Sequence, residues 1–145
     1  MQIRPYHLSD EPAVLTLWAH CGLVVPRNNP VGDIRRKLAV TPELFLVGIL
    51  ESQLIATVMA GYEGHRGWIN YLAVAPELQG NGHGRQIMEH AEHLLRERGC
   101  PKINLQVRST NRHVIEFYRR LGFAEDEVLS MGKRLMVDEP FSGNG

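Results

Sequence analysis

Cysteine is scarce in this chain. Cys21 and Cys100 are the only two among 145 residues, too few for the disulfide framework of a small secreted module. Long hydrophobic runs are missing as well. The longest apolar stretch, Leu44 to Leu50, is interrupted by Gly48 and is far shorter than the ~20 residues a membrane span needs. Net charge is absent, with 16 Lys and Arg against 16 Asp and Glu. That balance argues against general nucleic-acid binding, which goes with a strongly basic domain. The opening Met1-Gln2-Ile3-Arg4-Pro5 contains no apolar signal segment. A reduced, cytoplasmic protein with no membrane attachment is the expectation, and the cysteines suggest no metal site.

What is present suffices for one folded domain. Hydrophobic residues make up 43% of the chain and charged residues 22%, a composition that supports a core and excludes whole-chain disorder. Charge is unevenly distributed: between Arg96 and Arg120 stand seven basic and two acidic residues, and beyond Leu121 two basic and five acidic. A basic field on a neutral protein suits a small anionic ligand better than a polymer, although a solvated helix face explains the run equally well.

Periodicity orders the elements. A strand is expected over Gln2–Tyr6 and a helix over Ser9–His20 with Ser9 as N-cap, since Val14, Leu17 and Trp18 recur at helical spacing. A turn-rich loop over 22–30 leads to a second helix over Val31–Ala39. Three β-rich runs follow, Leu44–Leu50, Leu54–Tyr62 and Trp68–Ala75, joined by short turns and read as an antiparallel meander. Arg85–Arg98 is an amphipathic helix, Lys102–Val107 a strand and Asn111–Leu121 a helix ended by Gly122. Phe123–Met131 and Gly132–Val137 read as a last hairpin. The order β-α-α-β-β-β-α-β-α-β-β predicts an α+β domain, a mixed sheet with helices packed on it, over 1–138. Residues 139–145 read as a frayed tail.

The informative stretch is Val74-Ala-Pro-Glu-Leu-Gln79-Gly80-Asn81-Gly82-His83-Gly84-Arg85. A strand ends at a proline, and alternating glycines lead straight into a helix. The start of a helix carries unpaired N–H groups and about half a positive charge, and glycine lets the backbone come close to an anion. This loop suits phosphate. It is no P-loop, because Arg85 follows Gly84 where Lys and Ser/Thr belong. It is a poor dinucleotide loop, because Arg85 replaces the third glycine and Lys102 stands near the position of the acidic partner.

The spacing Gln79-x-x-Gly82-x-Gly84 resembles the coenzyme A pyrophosphate loop of the GNAT superfamily, the Gcn5-related N-acetyltransferases. Tyr71-Leu-Ala-Val74 is similar to that family's fourth strand, and Asn111-Arg-His-Val-Ile-Glu-Phe117-Tyr118-Arg-Arg-Leu-Gly122-Phe123 to its last helix. Val114 stands where many members have Ala. Several strings, among them Gly61-Tyr-Glu-Gly-His-Arg-Gly67 and Leu129-Ser-Met-Gly-Lys-Arg-Leu135, look like the small bacterial YpeA-type members. The resemblance covers essentially the whole chain.

It implies the GNAT fold, with a splay between the fourth and fifth strands, and an acetyl-CoA-dependent N-acetyltransferase using no metal. Backbone groups of Leu72 and Val74 would hold the pantetheine and the acetyl carbonyl. The stretch Gln79, Gly80, Asn81, Gly82, His83, Gly84 and Arg85 would take the pyrophosphate; the His83 ring either touches phosphate or faces solvent. Tyr118 would be the general acid at the sulfur, with Asn111 near the pantetheine arm. The helical wheel puts Val114, Ile115, Phe117, Tyr118 and Leu121 on one arc, so Tyr118 points inward and its hydroxyl needs a partner.

The base is not evident. Trp68–Ala75 contains no carboxylate, and Gln106 stands in Leu105-Gln-Val-Arg108 where some members have Glu. A water chain, Glu63 or His65 are the candidates. His90 and His93, three apart beside Glu89 and Glu92, read as a solvated helix face. The acceptor is an amine on a small molecule or a protein; Arg27, Arg35 and Arg36 hint at an acidic one. Monomer and homodimer both stay open. Two other functions compete: an acyl-CoA-binding or sensor domain without turnover, and a nucleotide-binding protein that uses the loop for ATP or NAD.

Overall fold

A computed structural model describes residues 1–141; part of the expected tail, residues 142–145, lies outside the described residues. Two compact units are present among the described residues, one of residues 1–104 with 138–141, the other of residues 105–137.

The first unit contains the sheet. Strands β1 (Gln2–Pro5), β2 (Phe45–Leu50), β3 (Gln53–Tyr62), β4 (Gly67–Val74) and β5 (Ile103–Asn104) lie side by side in sequence order. All neighbours are antiparallel except β4 and β5, which run parallel. The β2–β3 connection is a two-residue turn at Glu51 and Ser52, both with positive φ (49° and 64°). Two such residues in succession match the right-handed twist of the flanking strands. The central strands read as continuous apolar runs because both faces are covered, and Ile55 to Ala60 are all buried.

Helix α1 (Glu11–His20) lies on the face that carries Thr57: the Trp18 Nε1–H donates to Thr57 Oγ1 at 2.9 Å. Trp18 also stacks on Tyr71, with ring centroids 3.9 Å apart. Helix α2 (Pro30–Leu38) starts at Asn29, whose Oδ1 accepts from Gly32 N–H at 3.0 Å. Helix α3 (His83–Glu97) packs against β2, β3 and β4 and buries Ile87, Met88, Ala91 and Leu95, the stripe its periodicity predicts.

Several expectations are corrected. Ser9 does not cap α1; it lies inside a 3-10 turn, Leu8–Asp10. The carboxylate there is Asp10, which accepts from His7 N–H at 2.8 Å and from both Arg4 terminal nitrogens at 2.8 and 2.9 Å. That pairing with Arg4 holds the Asp10 carboxyl below the usual carboxylate range. The strand expected over Lys102–Val107 is only two residues long, because a parallel edge strand persists only while its neighbour stays within hydrogen-bonding reach.

In the second unit, Asn111 is the N-cap of α4 (Arg112–Arg120) rather than its first residue. The final hairpin over 123–131 and 132–137 is not formed: no strand lies between Phe123 and Val137. Val128, Leu129, Met131, Leu135, Met136 and Val137 are all exposed. These apolar residues fall on both faces of a hairpin drawn over these positions, and a two-stranded hairpin by itself buries too little to hold its shape.

Candidate active site

The site is organised by β4. Its pairing with β5 is limited to Gly67↔Ile103 and Trp68↔Asn104, so from Ile69 onward that edge has no strand neighbour among the described residues. This is the splay expected between the fourth and fifth strands. On the other edge β4 pairs with β3 along its length, but with a bulge: Thr57↔Ala73 and Met59↔Asn70 leave Tyr71 and Leu72 opposite Val58. Tyr71 is left-handed there, with φ 51°.

Beyond the bulge the ladder decides which way the backbone points. Ala75 N–H donates to Ile55 O at 2.8 Å, so by alternation the N–H and C=O of Val74 face away from β3, toward the splay. The Val74 carbonyl is already engaged, accepting from Gln79 Nε2 at 3.1 Å and from the Cys21 thiol at 3.3 Å. Burial pushes the Cys21 thiol pKa up, which keeps it a donor. Only the Val74 N–H is left for an incoming acceptor.

The glycine loop follows at once. A 3-10 turn, Pro76–Leu78, ends β4, and Asn81 Nδ2 donates back to Leu78 O at 3.0 Å. Gly80 has φ 83° and Gly82, the N-cap of α3, has φ 86°. Among the described residues no atom beyond the glycine and its two chain neighbours stands within 4 Å of a Cβ built at either position. Glycine is required there by backbone handedness and not by crowding. The helical ladder starts with Gln86 N–H donating to Gly82 O at 3.0 Å. Among the described residues no acceptor is present for the N–H groups of Gly80, Asn81, Gly82, His83 and Gly84. Five adjacent unpartnered amides at a helix start are the donor set an anion such as pyrophosphate requires. Gln79 ties the loop to the strand, and Arg85 pairs with Glu89 at 3.6 Å.

Within the second unit, Tyr118 is 9% exposed, edge-on to Phe117 and Phe123 at 5.2 and 5.5 Å. Burial raises its pKa to about 12, so the phenol keeps its proton at neutral pH. Its hydroxyl has no hydrogen-bond partner among the described residues, contrary to the expectation for a core tyrosine. Asn111 Oδ1 accepts from Val114 N–H at 3.4 Å, a capping role that the motif alone did not reveal. Gln106 donates to Ser130 Oγ.

Other candidates lose ground. The Glu63 carboxylate accepts from the backbone of His65 at 3.0 Å and of Arg66, which occupies it within its own turn. Arg35 faces Glu11 at 3.9 Å, and Arg36 is held by Asp33 and by both oxygens of Asp138, so neither supports an acidic acceptor. Within the basic run of 96–120, Arg98 pairs with Glu43, Arg119 with Glu116 and Glu125, and Arg120 with Glu116. His93 pairs with Glu97 at 2.9 Å. Among the described residues no group of three or more His, Cys, Asp or Glu side chains is arranged to hold a metal ion.

Sequence reasoning missed one cluster entirely. The Tyr71 hydroxyl donates to Asp33 Oδ2 at 2.6 Å and accepts from Asn28 Nδ2 at 3.2 Å. Asn28 Oδ1 is buried with no partner among the described residues. Residues 28, 33 and 71 come from a loop, a helix and a strand, and no local pattern links them.

A five-stranded sheet that opens beside β4, followed by a glycine loop with unpartnered amides, defines the class. The chain belongs to the acetyltransferase (GNAT) family, whose model matches residues 11–123, and is therefore an acyltransferase. It is 43% identical over 141 residues to an acetyltransferase of Yersinia enterocolitica, covering 97% of this chain and 100% of that one. Among solved structures it is similar to an aminoglycoside antibiotic 6'-N-acetyltransferase of Acinetobacter haemolyticus, with TM-score 0.73, 19% identity and coverage of 94% and 100%. It is also similar to the ribosomal-protein-S18-alanine N-acetyltransferase of Escherichia coli, with TM-score 0.71, 22% identity and coverage of 86% and 78%. At these identities the two structures speak for the fold alone, and their acceptors differ widely.

Proposed function

We propose that this protein is an acetyl-CoA-dependent N-acetyltransferase that moves the acetyl group to a primary amine by direct attack in a ternary complex. The observation that carries this reading is the run of five unpartnered amides at Gly80–Gly84, directly after a strand whose edge is open. In this reading those amides bind the pyrophosphate, with Gln79 and Arg85 at the ends of the loop. The pantetheine lies along β4, where Leu72 is part of the bulge and Val74 offers its N–H. Acetyl-CoA supplies the activated acyl group as its thioester. Tyr118 protonates the leaving sulfur, a role supported by its retained proton and its hydroxyl without a partner. Asn111 faces the pantetheine arm with the amide nitrogen that capping leaves unused. The acceptor is an amine of a small molecule or a protein.

The test is release of free thiol from acetyl-CoA in the presence of spermidine, an aminoglycoside and a peptide with a free N-terminus, with wild-type protein and Tyr118→Phe side by side. Thiol release by wild type, reduced about 10²-fold in kcat by Tyr118→Phe with coenzyme affinity unchanged, is the expected result. Equal kcat in both would make Tyr118 structural. Tight coenzyme binding without release from any amine would favour an acyl-CoA sensor instead. The amide at Gln106, where a carboxylate base would serve, is what keeps that second reading in view.

A further inference from the structure

The reaction needs a group that takes the proton from the attacking amine, and neither β4 nor Gln106 provides one. We propose that Asp33 takes that proton through the hydroxyl of Tyr71, so that the two side chains form the base of the acetyl transfer. This inference rests on the acetyltransferase reading.

The geometry is specific. Tyr71 sits in the β4 bulge, the strand proposed to hold the thioester, and its hydroxyl is 2.6 Å from Asp33 Oδ2. Asn28 Nδ2 donates to the same hydroxyl oxygen at 3.2 Å, which fixes its hydrogen toward Asp33. The positions of ring and backbone are over-determined. The ring stacks on Trp18 at 3.9 Å, and the Tyr71 carbonyl accepts from Thr57 Oγ1 at 2.8 Å. A bulky residue with φ 51° is a backbone outlier of the sort that collects at functional sites.

Two features keep the carboxylate serviceable. Arg36 donates to Asp33 Oδ1 at 2.8 Å, but its charge is shared with the two oxygens of Asp138. The Asp33 side chain is 30% exposed, so a proton received there can pass to solvent. The charged and titratable groups around the hydroxyl are Asp33 and Arg36 from α2 and Asp138 from the C-terminal segment, with Asn28 as the neutral partner.

The step balances as follows. The ammonium form of the acceptor first gives one N–H proton to Tyr71 Oη while the hydroxyl proton of Tyr71 moves to Asp33 Oδ2. The neutral amine so formed makes the attack: its nitrogen bonds to the thioester carbonyl carbon, the C–S bond breaks, and it loses its second N–H proton to solvent as the amide forms. The sulfur takes a proton, the role proposed for Tyr118. Asp33 then releases its proton to water and the acid regains one.

Asp33→Asn separates the base from the tie, because the amide oxygen still accepts from Tyr71 but takes no proton. With acetyl-CoA and the three amines above, kcat is expected to fall at least tenfold at pH 7, with KM for acetyl-CoA unchanged and only the small loss of thermal stability that goes with the hydrogen bond from Arg36 to Oδ1. The deficit should narrow as pH rises and the amine deprotonates in solution; a purely structural defect would not follow the amine in this way. Tyr71→Phe should show the same pattern, and Asp33→Glu should recover part of the rate. Wild-type turnover with an undiminished Asp33→Asn variant, or with a deficit that does not change with pH, overturns this inference alone. No thiol release by the wild type overturns it together with the acetyltransferase reading.

Discussion

At Gly67 and Trp68, β4 has a strand on either side; six residues later it has one. The closed end is a packing problem. Gly67 is buried, and a Cβ there would meet Cys100 Sγ at 2.8 Å and Ile103 Cγ1 at 3.3 Å. The open end has the opposite character: space around Gly80 and Gly82, an outward-facing Val74 N–H and a row of amides without acceptors. Sheet edges with free donors are ordinarily covered or paired. Here the strand pairing stops after Trp68, and the same strand is closely packed at one end and without a second strand neighbour among the described residues at the other.

The comparison can be broken from either end. The largest effect is expected at the open end. Gly82→Asp puts a left-handed side chain and a negative charge where pyrophosphate would sit, and coenzyme A affinity measured by calorimetry should fall more than 100-fold, about 2.7 kcal/mol. Because no atom crowds that position, the variant should stay folded. Gly82→Ala isolates the backbone cost, about 1 kcal/mol of stability.

At the closed end, Gly67→Val should cost about 1–3 kcal/mol of stability through overpacking, read as a lowered urea midpoint. Its coenzyme affinity should match wild type. A loss of affinity equal to that of Gly82→Asp would erase the distinction between the two ends.

The smallest effect lies at neither end. The Asp10 carboxyl is lowered chiefly by its hydrogen bonds from Arg4. The sign follows: this stabilisation is complete above the unfolded carboxylate range and is lost as pH falls through the depressed folded value, below about pH 4. Arg4→Met should remove about 1 kcal/mol at pH 7 and proportionally less at pH 3, with coenzyme binding intact at pH 7.

Much of this molecule was legible one residue at a time. The helical stripe of α3 was visible as Ile87, Met88, Ala91 and Leu95. The meander was visible as three apolar runs. The glycine loop was visible because φ near +85° at Gly80 and Gly82 is a local demand that glycine meets. The reverse holds for the stretch after Gly122. Its side chains have strand character, yet no strand forms between Phe123 and Val137, because strand character becomes structure only with a partner ladder. Lys102–Val107 shrank to two residues for a related reason: where β4 turns away, the edge strand has nothing to pair with.

Local information therefore determined most of the elements, the handedness of the glycine loop and the family to which the chain belongs. The tertiary structure decided where β4 loses its neighbour and which carboxylate reaches its bulge. Those outcomes depend on residues 28, 33 and 71 meeting across more than 35 positions of chain. Contacts of that range are set by packing of the sheet against its helices, and no periodicity in the sequence encodes them.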